Sequence, residues 1–369
     1  MVRCVPPAEL KDGSGNWLPY ATTLTFSDDT VLPDKPVGLR CTGTASGCPT
    51  PVIAAGPAWT IAPQGGVTLV GSGSHALGGK KIAKYQWTLL KAPEGASNVG
   101  FHPAANLPSP KLGVKRKGKV NGVLADVVAL DVAGDYQVRL VVTDDQGVVN
   151  CLPATETVHV IPEAAVFAEL VWSTPADPTP DTGPGMGADL DLHFAHPGAG
   201  NAKKCASPPA MCAGKPCPCQ PDNDGDGAVD PWFHPLYDCF WNNPKPNWGS
   251  VDPLVDDDPS LDLDDTDGFG PETLHLNAPQ YGSHYAIGVH SWDAHDYGPS
   301  MARVRVWVGG LLQAVVQRKL GECDLWWATA VAWPKGVTPI ASDGKGDGKV
   351  VVGYKSTAVG LVNGKCGAK

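Results

Sequence analysis

Residues 222–230 read DNDGDGAVD: three aspartates at alternate positions, a turn glycine, then a fourth aspartate. Two carboxylates 4 Å apart repel by about 4 kcal/mol at an effective dielectric of 20, so this loop calls for a counter-charge. Calcium supplies one, because it accepts about six to eight hard oxygens with tolerant geometry. Asp222, Asp224 and Asp226 take positions 1, 3 and 5 of such a loop, and Gly227 turns the backbone at position 6. Ala228 offers its carbonyl at position 7 and Asp230 stands at position 9. Position 12 is Phe233, so the closing ligand must come from elsewhere, and Asp238 is the candidate. The competing reading of these residues is a solvated acidic loop.

A second acidic run, DDDPSLDLDDTDGFGPE, covers 256–272. Asp262 and Asp264 alternate along an expected strand, with Asp265, Asp267 and Glu272 following in a turn. Asp189 and Asp191 alternate in the same way in ADLDLH. In an antiparallel sandwich the two segments can face one pocket, giving a second calcium site built from distant parts of the chain. Turn aspartates that cap backbone amides are the alternative.

Histidine supplies the enzymatic rival. Seven of the ten histidines lie between His193 and His295, in segments such as DLHFAH and GVHSWDAHDYG. A metal-dependent hydrolase would use such a His/Asp region, with His193 and His290 as the ligands to test. No HExxH signature is present, and surface or hydrogen-bonded histidines are the preferred reading. GxSxG, P-loop and dinucleotide fingerprints are absent too. CASPPAMCAGKPCPC has spacings of six, four and one intervening residues, unlike paired CxxC zinc ligands. Disulfides among Cys205, Cys212, Cys217, Cys219 and Cys239 are therefore expected. Trp232, Trp241 and Trp248 flank the acidic runs and are assigned to the core rather than to a sugar-stacking surface.

The elements that must hold these groups are strands. Glycine (44) and proline (36) are abundant among the 369 residues, which favours short strands and turns over long helices. No run of apolar residues is long enough to span a membrane as a helix. The formal charge is −10, yet residues 222–272 alone carry −13 and the remainder +3, so the acidity is a local device. Nucleic acid is an unsuitable partner for such a face. The opening MVRCVPPAEL has no apolar export core. Eleven cysteines nevertheless argue for an oxidising compartment, and an exported, cell-surface or periplasmic chain whose export segment is missing reconciles the two. The expected bridges are Cys48–Cys151, placed before and after one domain, with Cys4–Cys41 and Cys323–Cys366.

Segments GVTLVGSGS, KIAKYQWTLL and GDYQVRLVVTDDQG alternate apolar and polar residues with period two, and Tyr85, Trp87, Tyr136, Val138 and Leu140 are the expected core. GSGSHALGGKKIAKYQWTL followed by DVAGDYQVRLVVTDDQG resembles the PKD family of immunoglobulin-like β-sandwiches, although WTLLKAPEG replaces that family's WDFGDG turn. The resemblance implies a spacer or interaction module. ADLDLHFAHP, DCFWNNPKPNWG, LDLDDTDGFGPETLHL and YAIGVHSW, in that order, resemble the YfaP-like and pre-peptidase C-terminal-type sandwiches of bacterial surface proteins. That resemblance implies a jelly-roll-like sandwich with long loops, of a kind that often binds calcium and seldom carries catalysis by itself. The loop at 222–230 is similar to the calcium loops of dockerin and thrombospondin-type repeats. The expectation is an all-β chain: an N-terminal strand region (1–47), a PKD-like sandwich (48–162), a calcium-binding sandwich (163–335) and a tail (336–369). Calcium is the expected cofactor, and an extracellular polymer or protein the expected partner.

Overall fold

The computed structural model describes residues 22–25, 36–39, 47–120, 123–178, 187–198, 203–204, 219–220, 229–250, 252, 254–266, 268–354 and 366. The loop positions Asp222, Asp224, Asp226 and Ala228 lie outside these residues, as do Asp267, Cys4, Cys41, Cys205, Cys212 and Cys217. The described chain is all-β, with no α-helix among its described residues and no helix long and apolar enough to cross a membrane. Two short strands near the start, β1 (Thr22–Thr25) and β2 (Pro36–Leu39), pair antiparallel. The chain then divides into two compact units.

Unit 1 covers 1–92, 98–130 and 134–160 and, besides the β1–β2 pair, contains two larger sheets among its described residues. One runs β4 (Thr60–Ile61), β11 (Ala154–Val160), β10 (Gly134–Asp144), β6 (Ile82–Lys91). The other runs β3 (Ala54–Gly56), β5 (Val67–Val70), β8 (Lys111–Val120), β7 (Gly100–His102), with β9 (Val123–Ala129) also on β8. Period-two patterning explains their packing. Tyr136, Val138, Leu140 and Val142 of β10 are fully buried at every second position, and Val67, Leu69 and Leu112 of the other sheet are buried as well. Trp87 reaches across, its ring 6.3 Å from that of Phe101, and is buried, while Tyr85 is only half-buried. Cys48 and Cys151 are joined, closing a segment of 103 residues. In the chain-entropy picture such a loop adds about 4 to 5 kcal/mol.

Unit 2 holds residues 161–369 together with 93–97 and 131–133. Its first sheet runs β17 (Ser260–Leu263), β18 (Glu272–Leu276), β12 (Val166–Ser173), β20 (Ser300–Val308), β21 (Leu311–Leu320). Its second runs β16 (Asp238–Cys239), β13 (Asp189–Ala195), β19 (His284–Asp293), β22 (Leu325–Ala332), β23 (Gly336–Pro339), with β24 (Lys349–Val351) also on β22. Two short pieces, β14 (Lys203–Lys204) and β15 (Cys219–Gln220), pair in parallel within the same unit. One core fills the space between the two large sheets. Val166, Ala168 and Leu170 meet Leu190, Leu192, Phe194, Ile287 and Val289 there. The tail belongs to this sandwich: β23 and β24 extend the second sheet, and Cys366 is bridged to Cys323.

The second sheet is buried on both faces. Trp232, Phe233, Phe240 and Tyr354 form a further apolar cluster with Ala195 and Leu325 on the face away from the main core. Segment 229–241, which follows the acidic loop, is thus a cover laid over that sheet. Gly288 on β19 makes room for it, since a Cβ there would sit 2.7 Å from the Trp232 ring. Trp232 and Trp248 are core residues, and Trp241 is half-buried. The expected disulfide at Cys239 does not form. Its thiol is free and buried and donates to the Pro244 carbonyl at 3.4 Å. Pairing of β16 with β13 places this cysteine in the main core, away from solvent.

Candidate metal centre

Strand β13 carries two chemically opposite faces. Leu190, Leu192 and Phe194 point into the main core, so alternation puts Asp189, Asp191 and His193 on the other side. Strand β18 alternates too: Leu274 and Leu276 face the core, which carries Glu272, at the start of the strand, to the inner edge of the sandwich. The backbone amide of Leu192 donates to Glu272 Oε2 at 2.5 Å, so a carboxylate takes the place of a neighbouring strand. Glu272 lies in a strand and not in the turn expected for it, because the turn ends at Pro271.

This edge brings Asp191, Asp264 and Glu272 together, with one carboxylate oxygen from each within 4.8 Å of the others. Asp191 and Glu272 are buried and Asp264 is exposed. Asp191 Oδ2 accepts no hydrogen bond and lies 3.8 Å from His290 Nδ1. Asp189 Oδ1 likewise has no hydrogen-bond partner. Burial, followed by the charges of Asp191, Asp264, Asp265 and Asp293, pushes the Asp189 carboxyl up to about 9. Burial lifts Asp191 to about 7, against the pull of His193. Glu272 is driven well above its ordinary value by burial and by Asp191 and Asp264. So crowded a set of acids is held by protons or by a cation, and oxygen-only donors of this kind suit a hard divalent ion.

The remaining acidic candidates divide. Asp265 lies beside the cluster, donating its backbone amide to Glu272 Oε1 at 3.4 Å. Asp262 turns away: the β17–β18 pairing slips between Leu261 and Leu263, and Asp262 Oδ2 lies 2.6 Å from His275 Nδ1. The bulge breaks the alternation that would have set Asp262 beside Asp264. Asp238 is buried, and its Oδ2 takes both the Phe233 amide at 2.6 Å and His193 Nδ1 at 2.7 Å, while its Oδ1 has no hydrogen-bond partner. Asp230 is buried as well. Sequence reasoning missed Asp293, which stands opposite Asp189 in the β13–β19 register and adds to the local charge. Its signal is present in HYAIGVHSWD, but only strand pairing reveals the neighbour.

His193 and His290 are both fully buried. The His193 ring stacks on Phe240 at 5.1 Å and meets Phe233 edge-on at 4.6 Å. The histidines that suggested an enzyme are therefore packed beneath the aromatic cover.

Fold and cluster together define an all-β protein with β-sandwich architecture and a buried carboxylate group at one sheet edge. No family model matches the chain, and no curated protein matches it. A solved structure from work on the promiscuous specificity of carbohydrate-binding modules of the β-sandwich superfamily is similar over 67% of this chain and 98% of its own, at 12% identity and a TM-score of 0.21. A likeness that distant carries no argument about this chain.

Proposed function

We propose that the chain is a non-catalytic extracellular binding protein whose second sandwich holds calcium between Asp191, Asp264 and Glu272. The observation that carries this reading is the convergence of those three carboxylates within 4.8 Å, two of them buried, with Asp191 Oδ2 lacking a hydrogen bond. A divalent ion there joins β13 to the β17–β18 segment, and so ties both sheets at the edge from which the long loops leave. Asp189, Asp265 and Asp293 surround the ion with further negative charge. Unit 1 serves as a PKD-like spacer, and the ordered loops of unit 2 face a polymer or protein partner. Two disulfides support an oxidising compartment. The hydrolase reading is less well supported, because His193 and His290 are shut away from any substrate.

Calorimetric titration of chelator-treated protein with calcium is the test. The expected affinity is on the order of 10⁻⁴ to 10⁻³ M, as for extracellular modules. Calcium at ten times the dissociation constant adds about 1.4 kcal/mol, a rise of roughly 3 to 6 °C in unfolding temperature for a unit of this size. Absence of binding heat together with superimposable melting curves in calcium and in EGTA rejects the proposal. So does one equivalent of zinc or iron in the purified protein.

A further inference from the structure

The densest run of positive charge in the chain lies in unit 1. Residues 111–129 include five basic positions (Lys111, Lys115, Arg116, Lys117 and Lys119) against one acidic, Asp126, in a chain whose net charge is −10. We propose that the β8–β9 ribbon built from these residues is a binding surface for a linear acidic polysaccharide, sulfated or uronate-bearing. The proposal gives unit 1 a role beyond spacing and shares no residue with the calcium reading.

Strand β8 pairs with β5 and β7 only at 111–113, and over 114–120 its one strand partner among the described residues is β9. The hairpin therefore runs on as a two-stranded ribbon past the sheet that anchors it. At its base Leu112 is fully buried, while Lys111 beside it is exposed. Alternation then sets positions 111, 115, 117 and 119 on one face of the strand, and the register with β9 shows no slip over 114–120. Positions 115, 117 and 119 follow one another at intervals of about 7 Å along that face. Lys115 pairs with Asp126 at 3.0 Å, with side chains 55% and 44% exposed. An ion pair so exposed is weak, and it leaves the surplus of positive charge in place.

A row of like charges with so little counter-charge of its own favours a ligand that carries negative groups at regular intervals. Four of the five basic residues are lysines. Lysine offers a mobile point charge in place of the planar fork of arginine, which suits sulfate or carboxylate groups on a flexible chain. Residues 111–129 include no aromatic side chain, so the ribbon has no platform on which bases stack. That disfavours single-stranded nucleic acid. The Cys48–Cys151 bridge in the same unit fits an oxidising compartment, where acidic glycans are the common polyanions. With no ring to stack on a sugar, the contact is ionic and must weaken as salt is added.

The test is calorimetric titration of the full chain, at low and at high salt, with dextran sulfate, with neutral dextran and with a short DNA duplex. Dextran sulfate is expected to bind at low salt, neutral dextran not at all, and DNA more weakly than dextran sulfate. The triple variant Lys115→Gln, Lys117→Gln, Lys119→Gln is expected to lose about tenfold or more in affinity, with a shallower salt dependence. Lys84→Gln, Lys91→Gln, Lys319→Gln removes the same charge from exposed sites outside the ribbon and is expected to bind as the wild type does. Asp126→Asn is expected to tighten binding by about threefold, a gain that loss of fold does not produce, so it stands as the test should the ribbon variant unfold. Four results overturn the proposal: dextran sulfate does not bind; both triple variants lose affinity equally; Asp126→Asn leaves binding unchanged; or DNA binds more tightly than dextran sulfate. A ribbon variant that self-associates while keeping its affinity for dextran sulfate does so too, since the lysines then serve to guard the open edge of β8.

Discussion

Asp191 has a buried oxygen with no hydrogen bond, next to two further carboxyls, and that state is relieved by a proton or by a metal. Glu272→Gln separates the two remedies. Glutamine keeps an acceptor for the Leu192 amide but cannot supply the charge that draws a cation. Because Glu272 is already held well above its ordinary value, the variant is expected to melt much as the wild type does in EGTA, yet to gain nothing from calcium. Asp264→Asn, on the exposed side of the cluster, is expected to weaken calcium binding by about tenfold or more without loss of fold, read by titration. A calcium response that survives both changes places the ion elsewhere. Glu169 makes a separate prediction. It is fully buried, ion-paired with Arg305 and bonded by the Ala133 amide at 2.8 Å, yet burial outweighs these and lifts its carboxyl from 4.5 to about 7. A carboxyl with a higher pKa folded than unfolded holds its proton more tightly when folded. Its contribution is therefore full below about pH 4.5 and is lost as the pH climbs to 7. The stability difference between wild type and Glu169→Gln is expected to move against the wild type by about 3 kcal/mol across that window, measured by urea unfolding. A difference that does not change with pH removes Glu169 from the account.

Strand β19 is the element on which the aromatic cover depends. Its residues alternate between the main core, through Tyr285, Ile287 and Val289, and the outer cluster, where Gly288 lies under the Trp232 ring. Gly288→Ala places a methyl 2.7 Å from that ring and is expected to cost about 1 to 3 kcal/mol in urea unfolding, with a change in the near-ultraviolet aromatic signal. Full retention of both means that the cover is loosely held. Strand alternation in β10 and β13 was legible in the sequence, since period two needs no knowledge of neighbours. The slip at Asp262 was not, because a bulge depends on how β17 registers against β18. That single irregularity decided which of two aspartates, Asp262 or Asp264, joined the cluster.

At the scale of the molecule, the Cys48–Cys151 bridge lies in unit 1 and the proposed calcium site in unit 2. Replacing Cys48 and Cys151 together by alanine is expected to destabilise unit 1 by about 4 to 5 kcal/mol and to speed amide exchange in β5 and β10. Calcium removal is expected to speed exchange in β13 and β18 instead. Unchanged protection of β13 and β18 in EGTA counts against the cation.

Sequence by itself determined what is local: strands in place of helices, two successive all-β regions, a concentration of acid between 222 and 272, and cysteines spaced for long-range bridges. Each depends on residue type and short-range period, which are properties of a linear chain. Tertiary structure alone decided which acids meet, because Asp191 and Glu272 are 81 positions apart and converge only when β13 and β18 lie at a common edge. It also decided that His193 and His290 are packed away and that Cys239 stays reduced, since burial follows from what a distant segment covers.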